Sequence, residues 1–355
     1  MTPAGIQKML CNARICVLTL RSFQNVGNTV QLLRRRFLFL VGTATASFIA
    51  SLPVRAETYP ARPVRVIVPF APGGPTDVFA RLMAQGLSEQ TGVQFYVENI
   101  GGAGGNIGAG RAAQAAPDGY TVLVNGVNHV VNPALYNQVP YDPAKDFNPV
   151  TLAVTAAVVL TVNPSVPAHT VKELVDEIKS HPGKYSYASP GAGTPPHLVG
   201  ELFRLSLGLD LVHVPFNGGG PAVASAVAGH TPISFGSMAP AVPLVKDGKL
   251  RALAVSTKTG SHALPDIPTM SESGYGEIEG ESWFIVLVPA GTPNEIIALL
   301  HRDIAKIMTL PDMKECLAVL GYEPVASTPE ECAARIKMEA TRWAKVIRDA
   351  GIKAQ

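Results

Sequence analysis

Motifs that define several common classes of enzyme are missing from the sequence. It contains no G-x-S-x-G nucleophile elbow and no G-x-x-x-x-G-K phosphate loop, which are typical of α/β-hydrolases and of P-loop enzymes. The histidines at positions 129, 197, 213 and 230 are scattered and lack the spacing of metal ligands. A hydrolase is therefore a less favoured function, and we predict no enzymatic activity, no metal site and no cofactor.

Cysteines and long apolar runs are also scarce once the N-terminal segment is set aside. Of the four cysteines, Cys11 and Cys16 precede residue 57, which leaves Cys316 and Cys332 in predicted C-terminal helices. These two could pair in an oxidising compartment, although a structural or incidental role for each thiol is the simpler interpretation. No later segment is long and apolar enough to span a bilayer.

Acidic residues are absent from the first 56 positions, which carry seven basic residues. Without this segment the chain has 22 Lys and Arg against 27 Asp and Glu, so its formal charge is −5 rather than +2. A mildly acidic chain gives no sign of nucleic-acid binding.

The N-terminal segment has the order of features of an export signal. Three arginines at 34–36 precede an apolar run at 37–52, and Val54-Arg55-Ala56 fits a small-x-small cleavage site. The arginines followed by Phe37-Leu38 also fit the twin-arginine pattern. A retained signal anchor is the alternative, but a run of sixteen residues with interior Thr and Ser is short for a span. We expect residues 1–56 to be removed on export to the periplasm.

The remaining composition favours a globular α/β fold with many loops, because 33 Gly and 30 Pro accompany 47% hydrophobic residues. Strands at 63–70, 93–98 and 120–125 alternate with helices at 75–90 and 106–116, which predicts βαβ units and a parallel sheet. The apolar run 151–162 is predicted to cross between two lobes, and a strand at 281–288 to return.

The clearest candidate for a binding site is the turn between the first strand and the first helix. Residues 68–75 read V-P-F-A-P-G-G-P. Pro75 suits the first helical position, and the free N–H groups of the helical turn that follows can bind an anion. Residues 214–221 read V-P-F-N-G-G-G-P, so six of eight positions are identical, and residues 189–198 form a third unit of this type. We predict that these helix starts face a cleft, with side-chain hydrogen bonds from Thr76, Thr194 and Asn217. Coincidence between Gly/Pro turns is the alternative.

Several motifs occur in order between about Tyr59 and the C-terminus: P-F-A-P-G-G-P-T-D, E-N-I-G-G-A-G-G-N-I-G-A, P-D-G-Y-T, G-A-G-T-P-P-H-L, and K-L-R-A-L-A-V with L-P-D-I-P-T-M. Together they resemble the Bug family of extracytoplasmic solute receptors of tripartite tricarboxylate transporters. The resemblance implies a two-lobed α/β periplasmic binding protein of type 2 (Venus flytrap), each lobe a mixed sheet flanked by helices. We expect lobe I to comprise residues 57–156 with 284–355, and lobe II residues 157–283.

The resemblance also implies which residues hold the ligand, chiefly through backbone and hydroxyl groups and water. The polar loop after the third strand adds Asn128, and Phe70 and Phe216 are expected to close the walls. Asp77 is expected to act as a helix cap that contacts the ligand only indirectly, and His197 as a helix-start polar group rather than a base. The predicted ligand-binding residues are Phe70, Ala71, Pro72, Gly73, Gly74, Thr76, Asp77, Asn128, Gly191, Ala192, Gly193, Thr194, His197, Phe216, Asn217 and Gly218.

The implied function is capture of a small carboxylate (a mono-, di- or tricarboxylate or an acidic amino acid) for the large and small membrane subunits of such a transporter. The chain departs from the family pattern at Phe235-Gly236, where Asp is frequent, and at Phe216, where Tyr is usual. The first departure argues against a ligand amine held by an acid there. A monomer is expected. A periplasmic sensor that signals to a membrane kinase is the alternative.

Overall fold

The computed structural model describes residues 59–352, and the predicted export signal lies outside these described residues. The strands, in chain order, are β1 (Val64–Val68), β2 (Phe95–Asn99), β3 (Thr121–Gly126), β4 (Phe147–Val162), β5 (Ser186–Ser189), β6 (Val212–Pro215), β7 (Ile233–Ser237), β8 (Arg251–Val255), β9 (Glu281–Pro289) and β10 (Glu323–Pro324). The α-helices are α1 (Pro75–Thr91), α2 (Asn106–Ala113), α3 (Asn128–Leu135), α4 (Val171–Ser180), α5 (Pro195–Ser206), α6 (Gly219–Val227), α7 (Met238–Lys246), α8 (Asn294–Met308), α9 (Pro311–Val319) and α10 (Pro329–Ala350).

Strand β4 connects two halves of one sheet, whose order is β2-β1-β3-β9-β4-β7-β5-β6. Residues 147–157 of β4 pair antiparallel with β9. Its last five residues pair with β7, and most of them also pair with β8. Because both faces of this strand are covered, its sequence is apolar almost throughout rather than alternating. It begins at Phe147, four residues before the apolar run 151–162 that predicted it.

The first half of the sheet contains the predicted parallel βαβ units. Strand β1 pairs in parallel with β2 and with β3, and β9 joins β3 antiparallel, which makes this half mixed. The apolar face of α1 packs on it through Phe79, which stacks on Phe284 of β9 with ring centroids 5.6 Å apart. Gly86 of α1 lets Ile307 of α8 approach closely, since a Cβ atom there would lie 3.3 Å from the isoleucine Cδ1.

The second half is built around β5, which pairs in parallel with β6 and β7. Its core contains Tyr187, Phe203 and Phe235, and the Phe235 ring lies 5.4 Å from each of the other two. Helix α4 buries one apolar face, and its Glu173 N–H donates a hydrogen bond to the side chain of the N-cap Thr170.

Helix α10 packs against α3, α5 and β4 and so touches both halves of the molecule. It begins with a capping box formed by Thr328 and Glu331. Arg335 donates a hydrogen bond to Glu281 at the start of β9, at 2.7 Å. Burial raises the pKa of Glu281, although Arg335 opposes that rise. The helix therefore ties the C-terminus to the strand that returns from the second half.

Two further observations bear on the sequence predictions. None of the helices in residues 59–352 is long and apolar enough to cross a membrane. Cys316 is exposed and Cys332 is buried, and both are free thiols.

Candidate ligand-binding site

The first loop (residues 70–74) joins β1 to α1 and is fixed by one buried carboxylate. Gly73 has a φ of 81°, and Gly74 is the N-cap before Pro75 at the first helical position. Asp77 Oδ2 accepts hydrogen bonds from the Gly73 N–H at 2.8 Å and from Arg81 Nε at 2.9 Å. Its Oδ1 accepts one from Asn99 Nδ2 at 2.8 Å. Because both oxygens are engaged, Asp77 shapes the loop rather than presenting a free carboxylate.

The electrostatics of Asp77 agree with this role. Its side chain is 2% exposed, and burial alone would raise its pKa. The hydrogen bonds from Arg81, Gly73 and Asn99 outweigh burial and hold the pKa below its usual value. Asn99 also donates to the Phe70 carbonyl at 3.1 Å, so the end of β2 supports both ends of the first loop.

A glycine-rich segment after β2 lies directly behind the first loop. A Cβ atom at Gly108 would lie 2.8 Å from Pro69 Cα, and one at Gly105 would lie 3.3 Å from the Phe70 ring. Only glycine permits such an approach of helix and strand. The motif that follows β2 therefore serves to pack against and support the first loop.

The second loop (residues 190–194) joins β5 to α5 and repeats the geometry of the first. Gly193 has a φ of 73°, Thr194 is the N-cap and Pro195 is the first helical residue. His197 Nδ1 accepts a hydrogen bond from the Gly193 N–H at 2.9 Å. In both loops, therefore, the side chain at the third helical position binds the amide of a left-handed glycine four residues earlier.

The third loop (residues 216–218), which the sequence matched best to the first, has a different geometry. Helix α6 begins at Gly219 after the N-cap Gly218, so Pro221 is its third residue. The prediction of a helix that opens at Pro221 was wrong, because Gly219 and Gly220 already adopt helical conformation. The Gly218 N–H donates to the Pro190 carbonyl at 2.9 Å, and the Phe216 N–H to the Ser189 carbonyl at 3.0 Å. The second and third loops therefore form one surface.

The backbone donors of the second loop are largely used within it. The Thr194 hydroxyl and N–H both donate to the Gly191 carbonyl, at 2.7 and 3.3 Å. The Gly191 N–H donates to Ser189 Oγ at 3.2 Å. Helix α5 starts with two prolines, which have no N–H group. Of its first-turn amides, only that of His197 is left for an anion.

The starts of α1 and α6 offer more donors. The N–H groups of a first helical turn have no acceptor inside the helix, and at α1 these belong to Thr76 and Asp77. At α6 they belong to Gly219 and Gly220, beside the exposed Asn217. A Cβ atom at Gly218 or Gly220 would meet nothing within 4 Å, so the space in front of α6 is open.

The remaining predicted residues lie around these loops. Asn128 is half-buried at the start of α3, whose Leu135 lies beside Gly193 of the second loop. Phe70 and Phe216 are half-buried, whereas Ala71 and Pro72 are exposed. Among residues 59–352, no hydrogen bond joins the first loop to the second or third. The structure therefore brings together the predicted residues of the second and third loops, whereas the first loop is a separate unit. The residues brought together are Gly191, Ala192, Gly193, Thr194, Phe216, Asn217 and Gly218.

Sequence reasoning missed a polar cluster beneath the second loop. The rings of His197 and His213 stack with centroids 3.9 Å apart, and His213 Nε2 lies 2.6 Å from Ser189 Oγ. The description of these histidines as scattered was therefore wrong for this pair. Their contact arises because β5 and β6 pair in parallel, which places His213 opposite Tyr187. Within the described residues, no group of three His, Cys, Asp or Glu side chains is arranged to hold a metal ion.

A hollow of about 700 Å³ lies elsewhere, between α3 and α10. Its walls are apolar and rich in alanine and proline, and Lys337 and Arg348 lie on its rim. None of the predicted ligand-binding residues lines it.

Two half-sheets joined along β4, with glycine loops at helix starts, are the architecture expected of a periplasmic-type solute-binding protein. The chain belongs to the tripartite tricarboxylate transporter receptor family (TctC), whose model matches residues 79–352. The protein BugT of Bordetella pertussis is 37% identical over 90% of this chain and 98% of its own length. The resemblance to the Bug family is thereby confirmed.

Solved structures show the same fold. The periplasmic binding protein BugD is 33% identical, with a TM-score of 0.72 over 84% of this chain and 100% of BugD. An R. palustris protein solved with adipate is 34% identical, with a TM-score of 0.75 over 83% of this chain and 99% of that one. MatC of Rhodopseudomonas palustris, solved with malate, is 33% identical, with a TM-score of 0.70 over 81% of this chain and all of MatC. The predicted two-lobed fold class is confirmed.

Proposed function

We propose that the protein is a periplasmic receptor that captures a small carboxylate between its lobes and delivers it to a tripartite tricarboxylate-type transporter. The observation that carries this proposal is the first loop, with Gly74 and the free amides of Thr76 and Asp77 at the start of α1. The helix start is a site of partial positive charge that favours an anion. The binding of adipate and malate by relatives supports the ligand class.

The second contact with the ligand comes from the third loop and the start of α6. Asn217 and the amides of Gly219 and Gly220 supply donors there, with the amide of His197 beside them. A dicarboxylate suits this arrangement, since one carboxylate can lie at each helix start. Micromolar affinity corresponds to about 8 kcal/mol, which a few charge-assisted hydrogen bonds of roughly 1.5–3 kcal/mol each can largely supply.

The lobe boundaries at 156/157 and 283/284 are part of the proposal. They are supported by the change of pairing partner within β4, from β9 up to residue 157 to β7 from residue 158. Closure of two such lobes would bury the ligand and present a distinct surface to membrane subunits. The same proposal includes three further points. The signal at 1–56 directs export, the receptor is a monomer, and it binds its ligand without catalysing a reaction.

The test is calorimetric titration of the mature protein with adipate, malate, citrate and aspartate, each compared with its uncharged amide. We expect at least one acid to bind with micromolar or better affinity and its amide to bind at least a hundredfold more weakly. If no acid in a wider panel raises the melting temperature, the proposal is wrong. Mass spectrometry of exported protein checks the expected new N-terminus at Glu57.

A further inference from the structure

The second loop rests on a cluster of buried and half-buried polar side chains that the proposed function does not use directly. Ser189 is fully buried at the end of β5, and its Oγ lies 2.6 Å from His213 Nε2. The same oxygen accepts a hydrogen bond from the Gly191 N–H at 3.2 Å. His213 thus fixes the hydroxyl to which the loop amide is attached.

The other end of the loop is attached to the same cluster. His197 Nδ1 accepts the Gly193 N–H at 2.9 Å, and its ring stacks on that of His213. Of the four backbone N–H groups of residues 191–194, two therefore donate hydrogen bonds to the side chains of Ser189 and His197. The His213 ring contacts both of these residues.

We infer that Ser189 and His213 are positioning residues of the second loop, and that protonation of the stacked His197–His213 pair releases this loop. The consequence for carboxylate binding rests on the proposed function. The release itself is a property of the ligand-free protein.

The acceptor role of His197 requires a neutral ring. Hydrogen bonding by Nδ1 to an N–H leaves the ring proton on Nε2. A second proton would have to enter at Nδ1, where it would face the Gly193 N–H and abolish that hydrogen bond. The pKa of both His197 and His213 is lowered to about 4, chiefly by burial, and for His197 the neighbouring His213 contributes to the same shift.

The charged groups around the pair do not compensate for two imidazolium ions. Glu201 of α5 favours protonation, but it is bound by Arg204 at 2.6 Å and by the Tyr187 hydroxyl at 2.8 Å. Arg204 opposes protonation of His197. The cluster is therefore stable with two neutral rings, and one added proton destabilises the geometry of the loop.

The test is amide hydrogen exchange, followed by NMR on the mature, ligand-free protein between pH 7 and pH 4. Relative to its intrinsic exchange rate, we expect the protection of Gly193 to fall at least tenfold over this range. The amide of Val66 in β1, which reports global unfolding, should keep its protection. If Gly193 keeps its protection at pH 4, or loses it only together with Val66, the inference is overturned without any variant.

Two variants test the positioning roles. Ser189→Ala should reduce the protection of Gly191 about tenfold at pH 7. His213→Gln should move the loss of Gly193 protection to higher pH, because position 213 can no longer carry the positive charge that opposes protonation of His197. A role for His213 in packing alone would leave that midpoint unchanged, and an unchanged midpoint contradicts the inference. His230→Gln, at an exposed histidine, is the matched control.

The effect on ligand binding is measured by titration with adipate and with malate at pH 7 and pH 4. The ligand's own protonation is the same for every protein, so the comparison is between wild type and His213→Gln. We expect the variant to lose at least fivefold more affinity than wild type over this range. An equal loss overturns the link between loop and ligand. If no acid binds at any pH, the proposed function fails, while amide exchange still decides the positioning role.

Discussion

Asp77 and His197 occupy the third position of α1 and α5 and make the same hydrogen bond, to the amide of a left-handed glycine four residues before them. Their chemistry differs. Asp77 is an ion held by Arg81, whereas His197 acts as an acceptor only while it is neutral. The two loops therefore share a geometry but respond differently to charge and pH.

The first prediction concerns Asp77. Asp77→Ala leaves the Gly73 amide and the Asn99 amide group without their acceptor, so we expect a loss of about 2–3 kcal/mol in unfolding free energy. Asp77→Asn keeps one acceptor oxygen and should cost about half as much. Urea denaturation measures both, with Asp266→Ala at an exposed position as the control. If Asp77→Ala costs no more than Asp266→Ala, the carboxylate does not hold the loop.

The two adjacent glycines of the first loop make a matched pair. Gly74 has an ordinary φ of −74°, and a Cβ atom there would lie 3.5 Å from its nearest neighbour, the Ala71 carbonyl oxygen. Gly74→Val should therefore reduce ligand affinity at least tenfold, by adding bulk at the helix start, and cost under about 1 kcal/mol of stability. Gly73→Val, at a φ of 81°, should cost about 1–2 kcal/mol through backbone strain. Calorimetry and melting curves separate the two effects, and equal affinity for Gly74→Val and wild type would place the ligand elsewhere.

The threonines of the first and second loops should behave differently from each other. No hydrogen bond to the Thr76 hydroxyl is found among residues 59–352, whereas the Thr194 hydroxyl donates to the Gly191 carbonyl at 2.7 Å. Thr76→Val should weaken ligand binding with little change in melting temperature. Thr194→Val should lower stability by about 1 kcal/mol and weaken binding through the loop. The double variant should weaken binding more than either single change, and unchanged affinity in it would contradict both roles.

The sequence predicted the strand–loop–helix order of all three loops, but not the start of α6 at Gly219. Gly/Pro turns followed by helices were recognisable at 70–75, 190–195 and 216–221, because glycine and proline determine the backbone conformation at their own positions. The match between the first and second loops was less visible, because it depends on Asp77 and His197, whose side chains are unlike. The contact between Ser189 and His213 depends on the parallel register of β5 and β6, which residue spacing alone does not reveal.

The last prediction concerns the pH dependence of stability and the buried His129. Its ring is fully buried between Tyr141 and Phe147, and burial lowers its pKa from 6.5 to about 4. The neutral ring therefore stabilises the fold in full above pH 6.5. Below that pH the unfolded chain takes up a proton that the folded chain refuses, so stability falls until about pH 4. At 1.36 kcal/mol per pKa unit, the loss from this group is at most about 3 kcal/mol.

His129→Phe removes the titration and keeps an aromatic ring against Tyr141 and Phe147. In urea denaturation between pH 7 and pH 4.5, its stability should fall less steeply than that of wild type. His197 and His213 titrate in the same window and in the same direction, so some slope should remain. His230→Gln, at an exposed histidine, is the matched control. Parallel curves for wild type and His129→Phe would show that the buried ring is not a neutral group in the folded protein.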